Sequence, residues 1–262
     1  MSPGATALVL VDIHEGVARL TLNNPDARNS LTAPMVDAIV EAMDTIEADE
    51  SVGAVIVTGA GSAFCAGADL GNLRHATRES LTNVYEGFLR IARSPLPTIA
   101  AVNGPAVGAG TNMALGCDVR IAATRARFDT RFMQIGLHPG GGHTWLQRRI
   151  VGPQATMAAV VFSQVIDGPE SERIGLSYKC VPDAELLDVA HEFALGAANA
   201  PRQLVILTKQ TIKDMAEIDT HDEAVTRELE PQLWTMRQPW FDERIAALQS
   251  TIKTSKIKTG PS

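Results

Sequence analysis

Two stretches decide the fold: residues 54–70, AVIVTGAGSAFCAGADL, and residues 98–112, TIAAVNGPAVGAGTN. In each, a short apolar run leads into a turn of glycine and alanine, and a helical pattern follows. The apolar runs, Ala54–Thr58 and Thr98–Val102, are typical of strands buried on both faces. Turns at the carboxyl ends of parallel strands are where α/β proteins bind ligands. The two stretches therefore predict a parallel sheet with a ligand site at one edge.

Strands and helices alternate around these stretches. A hairpin is predicted upstream, and Thr32 is placed to cap a helix that runs to about Ala48. A second helix carries an apolar face from Leu81 to Ala92. The strands of the predicted hairpin are Leu8–Asp12 and Val17–Leu22. This alternation implies right-handed crossovers around a mostly parallel sheet, so the predicted fold class is α/β.

The sequence after about Pro153 is mostly helical in pattern. The predicted helices are Glu185–Ala198, Pro201–Met215, His221–Trp234 and Phe241–Lys253. We therefore expect a core at residues 1–195 and a C-terminal helical region at residues 196–262. Apolar positions such as Leu229, Leu233 and Trp234 in that region require a partner.

Charge and hydropathy exclude several classes of function. The formal net charge is −7 and the pI is near 5.4, and an acidic body does not attract nucleic acid or an anionic membrane. No apolar run approaches the ~20 residues that span a bilayer, and the N-terminal residues lack the pattern of a signal peptide. We therefore expect a cytoplasmic protein with no nucleic-acid partner and no membrane insertion.

The cysteines and histidines form no recognisable motif. Cys65, Cys117 and Cys180 are odd in number and far apart. The six histidines are scattered, so a metal centre would have to be assembled from distant segments. We therefore expect no disulfide and no metal.

The two glycine-rich turns are suited to holding a ligand oxygen. Small residues let an oxygen approach the backbone, and a helix that begins near Ala109 directs its unpaired N–H groups and dipole toward that oxygen. Each donor in such a site contributes about 3–4 kcal/mol to stabilising a developing negative charge. Either turn alone is also explained as a simple tight turn. Neither turn predicts a nucleotide site, because GxxxxGK(S/T) is absent and residues 107–110 lack the dinucleotide-binding spacing.

Taken together and in this order, the two turns resemble those of the crotonase superfamily, also called the enoyl-CoA hydratase/isomerase family. LNNPDARNSL at residues 22–31 is similar to the family's entry loop. AFCAGADL at residues 63–70 and AVNGPAVGAG at residues 101–110 are similar to its two oxyanion segments. The resemblance covers nearly the whole chain, since it continues at GCDVRIA (residues 116–122), IGLHPGGG (residues 135–142) and SERIGL (residues 171–176).

The resemblance implies a fold, a ligand and a site. The implied fold is a spiral of ββα repeats with C-terminal helices that build a trimer, commonly a dimer of trimers. The implied ligand is an acyl-CoA, with coenzyme A as part of the substrate and no separate cofactor. The N–H groups of Ala68 and Ala109 would hold the thioester oxygen. The other substrate contacts that the resemblance implies are Arg28, Ser30, Ala66, Gly67, Asp69, Leu70, Gly108, Phe132, Gly140 and, from the terminal helix of a neighbouring subunit, Leu248 and Lys253.

The sequence departs from the hydratase pattern at the two positions that carry acid–base chemistry. Hydratases of this family have one glutamate three residues after the second oxyanion donor and another before the Pro-Gly-rich turn. Those positions hold Asn112 and Phe132 here. Neither side chain transfers a proton, and such groups typically contribute ~10²–10⁴-fold each. Ordinary hydration of an enoyl-CoA is therefore doubtful.

Three other side chains are candidates for the missing acid or base: His143, His138 and Asp129. A histidine near the acyl group can act as a base at neutral pH. A lone histidine beside a glycine run is more often a helix cap or a packed ring. Asn112 can orient a water or the thioester without titrating. The candidate catalytic set is therefore Ala68, Ala109, Asn112 and His143.

Two interpretations of function stay open. The first is an enzyme of fatty-acid or related acyl-CoA metabolism whose proton-transfer group lies outside the usual two positions, such as a lyase, isomerase, thioester hydrolase or decarboxylase. The second is a non-catalytic acyl-CoA carrier or sensor that keeps the two donors for affinity. A Ser-His-Asp hydrolase is disfavoured because the sequence has no GxSxG elbow.

Overall fold

The computed structural model describes residues 7–69, 71 and 76–258, with side chains as far as residue 250. These residues belong to two compact units that divide between Ala200 and Pro201. Leu70, a predicted substrate contact, lies outside the described residues, and so does the side chain of Lys253.

The first unit is built on a six-stranded sheet that is parallel apart from one edge. Its strands and those of a smaller sheet are, in chain order, β1 Val9–His14, β2 Val17–Leu22, β3 Ala54–Gly59, β4 Thr98–Val102, β5 Pro105–Val107, β6 Val119–Ala123, β7 Arg127–Asp129, β8 Ile166–Asp167 and β9 Lys179–Val181. The large sheet has the order β1-β2-β3-β4-β6-β9, and only its β1–β2 pair is antiparallel among the described strands. The small sheet has the order β5-β7-β8.

Helices connect the strands of the first unit. They are α1 Ala33–Ala48, α2 Arg78–Ala92, α3 Ala109–Gly116, α4 His143–Val160, α5 Gly168–Arg173 and α6 Leu186–Ala198. Thr32 caps α1, since its side chain accepts a hydrogen bond from the Met35 N–H. Ile39 and Met43 of α1 are fully buried, so the apolar stripe of this helix packs into the core as the sequence predicts.

The two stretches that decide the fold supply the centre of the sheet. Every residue of β3 and β4 is buried, whereas most of β1 at the edge is exposed. Ala190 and Ala194 of α6 pack in one apolar cluster with Ile56 of β3 and Ile99 of β4. The continuous apolar runs therefore belong to strands covered on both faces.

The second unit contains helices and no strand among its described residues. Its helices are α7 Arg202–Asp214, α8 His221–Thr235 and α9 Pro239–Lys258. Thr220 caps α8 by accepting a hydrogen bond from the Glu223 N–H, and Arg227 of α8 forms an ion pair with Asp214 of α7. No helix in the described part of the chain combines the length and the apolar character needed to cross a membrane.

The predicted α/β class with helices at the C-terminus is confirmed. The sequence did not reveal the short strands of the small sheet or β9, because two or three residues carry no detectable periodicity. The change of pattern expected near Pro153 falls inside α4, which is kinked at Gly152, where φ is +77°. The short strands β8 and β9 follow later in the chain. The hairpin strand predicted as Leu8–Asp12 lies slightly later, at Val9–His14.

Candidate functional site

The two glycine-rich turns lie side by side. Cys65, in the turn after β3, forms an isolated parallel bridge with Ala106 of β5. The Val107 N–H donates to the Cys65 carbonyl at 2.9 Å, and the Phe64 N–H donates to the Pro105 carbonyl at 3.1 Å. The turn after β3 is thereby paired with the strand that follows β4.

Glycine is required where the turns touch. A Cβ atom added to Gly67 would lie 2.4 Å from the Val107 carbonyl oxygen and 3.3 Å from the Ala109 nitrogen. A Cβ atom added to Gly110 would lie 2.1 Å from the Cys65 carbonyl oxygen. Gly67 also has a φ of +86°, which glycine adopts without strain. The segment around Gly67 therefore lies directly against the first turn of α3.

Ala68 and Ala109 each carry a backbone N–H that no described residue accepts. Ala109 is the first residue of α3. The first helical hydrogen bond is donated by the Asn112 N–H to the Gly108 carbonyl at 3.0 Å, so the helix provides no acceptor for the Ala109 N–H. Beside Ala68, the Leu31 N–H donates to the Gly67 carbonyl at 2.8 Å. Among the described residues, neither alanine N–H has a hydrogen-bond acceptor. Two unused donors on touching turns suit an oxygen ligand that carries partial negative charge.

Two hydrogen bonds link His143, Asn112 and the Gly140 carbonyl, and the direction of donation in both is fixed. A carbonyl oxygen only accepts, so the Asn112 Nδ2 amide, 3.0 Å away, is the donor. The Asn112 Oδ1 atom therefore faces the His143 Nδ1 atom at 2.6 Å, and Nδ1 carries the hydrogen. In a neutral imidazole the other nitrogen, Nε2, is then an acceptor with a lone pair.

His143 is a buried and neutral histidine. It is 1% exposed, and burial lowers its pKa from 6.5 to about 4 because the imidazolium would be poorly solvated. Phe132 packs against its ring edge to face, with the centroids 5.0 Å apart. Within the described part of the chain, His143 Nε2 has no hydrogen-bond partner, and neither has the Oε1 atom of Gln147 one turn along α4. The Nε2 atom is itself buried, and hydrogen bonding to the Gln147 side chain opposes the lowering of the His143 pKa by burial.

The Pro-Gly-rich turn before α4 packs tightly on its neighbours. A Cβ atom at Gly141 would lie 2.4 Å from the Phe88 ring and 3.0 Å from Asn112 Nδ2. A Cβ atom at Gly140 would lie 2.3 Å from the Tyr85 hydroxyl oxygen. A larger residue at Gly141 would strain its φ of +65° and displace the Phe88 ring, so glycine here helps to keep the Gly140 carbonyl within reach of Asn112.

A cavity of about 320 Å³ opens beside Ala68. Its walls come from α1, α2 and the first glycine-rich turn, and Leu31, Val36, Leu81 and Val84 make much of the lining apolar. An apolar group attached to an oxygen held near Ala68 has space here.

The structure brings part of the predicted site together. Gly67 lies against Ala109, and His143 contacts both Asn112 and Phe132. The remaining described candidates are Arg28, Ser30, Ala66, Asp69, Gly108, Gly140 and Leu248. Of these, Arg28 accepts a backbone hydrogen bond from Ala66 at 2.9 Å, Asp69 accepts one from Gly71 at 2.8 Å, and Leu248 is an exposed residue of the second unit.

The two other candidate bases do not join the Asn112 chain. His138 is exposed, and its Nδ1 atom lies 2.7 Å from the Pro139 carbonyl oxygen, which only accepts. Asp129 is buried and pairs with Arg131, with the Arg131 Nε atom 3.0 Å from its Oδ2. The Arg131 guanidinium therefore occupies the Asp129 carboxylate.

Asn29 is a site-building residue that the sequence pattern did not reveal. It is fully buried, its Nδ2 donates to the Ala60 and Ala63 carbonyls at 3.0 and 2.9 Å, and its Oδ1 accepts from the Asn24 N–H at 2.9 Å. Its φ of +57° is one that asparagine tolerates better than most residues. Asn29 therefore fixes the entry loop to the first glycine-rich turn.

The fold and site define an α/β protein in which two backbone N–H groups on touching turns have no acceptor among the described residues, with a neutral buried histidine nearby. The family model for enoyl-CoA hydratase/isomerase matches residues 12–248. The chain therefore belongs to the enoyl-CoA hydratase/isomerase family, and the crotonase resemblance is confirmed.

Relatives and solved structures agree with this membership. The chain is 44% identical over 250 residues to a probable enoyl-CoA hydratase of Mycobacterium tuberculosis, covering 92% of this chain and 97% of that protein. It is 34% identical over 248 residues to the 1,2-epoxyphenylacetyl-CoA isomerase of Escherichia coli, covering 91% and 94%. A Thermobifida fusca structure in complex with acetoacetyl-CoA is similar with a TM-score of 0.79 at 26% identity, covering 88% of this chain and 95% of that one.

Proposed function

We propose that the protein binds acyl-CoA thioesters and holds the thioester oxygen between the N–H groups of Ala68 and Ala109. The observation that carries this proposal is the pair of unused donors on two turns that touch at Gly67. Family membership and the acetoacetyl-CoA complex of the Thermobifida fusca relative support it. As negative charge develops on the oxygen, each donor would lower the barrier by about 3–4 kcal/mol.

The acyl group would extend from this oxygen into the cavity beside Ala68. The apolar side chains in its lining match a hydrocarbon chain or ring. An acyl group that displaces water from the cavity would also strengthen the hydrogen bonds to the oxygen, because the local dielectric constant would fall.

The proton chemistry would differ from that of an ordinary hydratase. Asn112 and Phe132 occupy the positions where the family resemblance implies glutamates, and His143 contacts both side chains. A general base works best when its pKa is near the operating pH, so the pKa of about 4 makes His143 a weak base. A base this weak can accept a proton only from a carbon acid that the oxyanion donors acidify strongly. The proposed activity is therefore a lyase or isomerase reaction on an acyl-CoA, with His143 Nε2 as the proton acceptor.

A non-catalytic acyl-CoA-binding protein is the second candidate. It is favoured by the same replacement of both glutamates, since the two backbone donors would still provide affinity. The candidates differ in one respect: an enzyme loses turnover when His143 is changed, whereas a binding protein has none to lose.

A substrate screen distinguishes these candidates. Calorimetry would measure binding of enoyl-, 3-hydroxyacyl-, 2-carboxyacyl- and saturated acyl-CoA thioesters, and absorbance and mass spectrometry would detect conversion. We expect His143→Gln to reduce turnover of a converted thioester at least about 100-fold while binding persists, and the exposed His138→Gln to leave both unchanged. No binding heat with any of these thioesters would contradict the proposed function.

The proposal includes assembly into a homotrimer or a dimer of trimers. The second unit exposes Leu229, Trp234 and Leu248, and apolar surface of this kind favours association. Light scattering at micromolar concentration would measure the mass, and a monomer would contradict this part of the proposal.

A further inference from the structure

Three potential metal ligands meet at the edge hairpin of the first unit. His14 ends β1, Glu15 lies in the turn to β2, and His191 lies on α6. The Glu15 Oε2 atom is 3.1 Å from His191 Nε2 and 3.5 Å from His14 Nε2. The two imidazole rings are stacked, with centroids 5.4 Å apart and an interplanar angle of 25°. One carboxylate oxygen thus faces the same nitrogen of two histidines that are distant in sequence.

We propose that His14, Glu15 and His191 form a Zn²⁺ site. Imidazole nitrogen and carboxylate oxygen bind Zn²⁺ at about 2.0–2.2 Å, so neighbouring ligand atoms of a tetrahedral site lie roughly 3.4 Å apart. The oxygen-to-nitrogen separations of 3.1 and 3.5 Å fall on either side of that value. All three ligand atoms lie within 4.8 Å of one another. A small rotation of the exposed His14 ring and the half-buried His191 ring completes the geometry, with water as the fourth ligand.

The ligands stand on ordered parts of the backbone. Glu15 and Gly16 have φ values of +50° and +76°, as two-residue hairpin turns require. A Cβ atom at Gly16 would lie 3.5 Å from the Ala198 Cβ atom of α6, so the hairpin end and the helix are in contact. Ala190, next to His191, is fully buried in the core. Metal binding therefore requires little ordering of the backbone.

The surrounding charge favours a cation. Asp12, Asp188 and Glu192 line a hollow of about 390 Å³ beside the two histidines. Apart from the histidines, Arg19 is the one basic residue among the described residues that line the hollow. Its guanidinium is paired with Asp12 at 2.9 Å. Acidic groups therefore outnumber basic ones around the cluster.

The Zn²⁺ site is separate from the proposed acyl-CoA site. The scattered histidines of the sequence predict no metal centre, but pairing of β1 with β2 and packing of α6 bring His14 and His191 together. A bound ion would tie the hairpin to α6 and stabilise the folded first unit, because it binds the folded state only.

Zn²⁺ titration of the full chain, with any purification tag removed, tests the proposal. At pH 7.5, where neutral imidazoles bind metal, calorimetry is expected to show one Zn²⁺ bound per chain at this cluster. His14→Gln and His191→Gln should each weaken binding at least about tenfold, whereas His221→Gln, on the second unit, should retain wild-type affinity. Co²⁺ should give the absorption bands of a tetrahedral site in the wild type and not in the two variants. Absence of Zn²⁺ binding, or equal affinity in the wild type and both cluster variants, would overturn the proposal.

Discussion

The Oδ1 atom of Asn112 lies 2.6 Å from the Nδ1 atom of His143. This contact joins one of the positions where the family resemblance implies a glutamate to the first residue of α4. It also sets the tautomer of the ring, which places the lone pair on Nε2. The ring packs against Phe132, which occupies the second position where the family resemblance implies a glutamate. One titratable group thus stands between the two positions that lack a carboxylate.

Removing the Asn112 side chain should destabilise the protein. Asn112→Ala leaves the buried His143 N–H without its acceptor, and an unpaired buried donor costs about 1–3 kcal/mol. We expect the free energy of unfolding in urea to fall by about that amount. Asn83→Ala, at an exposed position of α2, serves as the control and should change it by less than about 0.5 kcal/mol. Equal stability of Asn112→Ala and the wild type would show that the hydrogen-bond chain does not form.

His143 should make stability depend on pH. Because burial lowers its pKa from 6.5 to about 4, the unfolded chain binds a proton in this interval that the folded chain does not. Protonation of the unfolded chain therefore lowers the free energy of unfolding as the pH falls below 6.5, by about 2 kcal/mol at pH 5. Urea unfolding at pH 7.5 and pH 5 measures the difference, which His143→Gln should reduce and His138→Gln should leave intact. An identical pH dependence in the wild type and His143→Gln would contradict a buried neutral ring.

Gly110→Ala should disrupt the contact between the two turns. The added Cβ atom would lie 2.1 Å from the Cys65 carbonyl oxygen, so the segments must separate. We expect a loss of more than about 2 kcal/mol in the free energy of unfolding and weaker acyl-CoA binding by calorimetry. Gly196→Ala in α6, where nothing lies within 4 Å of the added atom, should instead stabilise by about 0.5–1 kcal/mol. An equal change in the free energy of unfolding in both variants would contradict the close contact between Gly110 and the Cys65 carbonyl.

Binding and hydration of crotonyl-CoA should separate. The two donors predict a dissociation constant on the order of micromolar, while the absence of both carboxylates predicts hydration at least about 10²-fold slower than in a hydratase that has them. Calorimetry measures the first and the loss of enoyl absorbance the second. Asn112→Glu combined with Phe132→Glu should raise the hydration rate. Hydration by the wild type at the usual rate of such enzymes would show that Asn112 and Phe132 do not mark the catalytic positions.

Much of the fold can be predicted from local pattern. β3 and β4 are visible as continuous apolar runs because both of their faces are covered, and α1 is visible from its cap at Thr32 and its periodic apolar stripe. The strands of the small sheet are not visible, since they are two or three residues long and exist through pairing between distant segments. Their stability comes from tertiary context and not from propensity.

The candidate site divides in the same way. The turn pattern predicts a ligand site at the edge of the sheet, whereas the choice of Ala68 and Ala109 as donors comes from the resemblance of the two turns to the family's oxyanion segments. The tautomer of His143 follows only from the position of the Gly140 carbonyl, and the role of Asn29 only from carbonyl groups far along the chain. The meeting of His14 with His191 likewise depends on how α6 packs beside the hairpin.

Infrared spectroscopy of a bound thioester tests the central claim most directly. Crotonyl-CoA labelled with carbon-13 at the thioester carbonyl gives a band that isotope difference separates from those of the protein. Two N–H donors at the oxygen weaken the C=O bond. The carbonyl band of bound crotonyl-CoA should therefore lie at a lower frequency than that of free crotonyl-CoA in water. Ala109→Pro removes one donor at the first position of α3, where proline is tolerated, and should reverse part of the shift. A bound thioester whose carbonyl band stays at the frequency of free crotonyl-CoA would contradict the assignment of Ala68 and Ala109 as its hydrogen-bond donors.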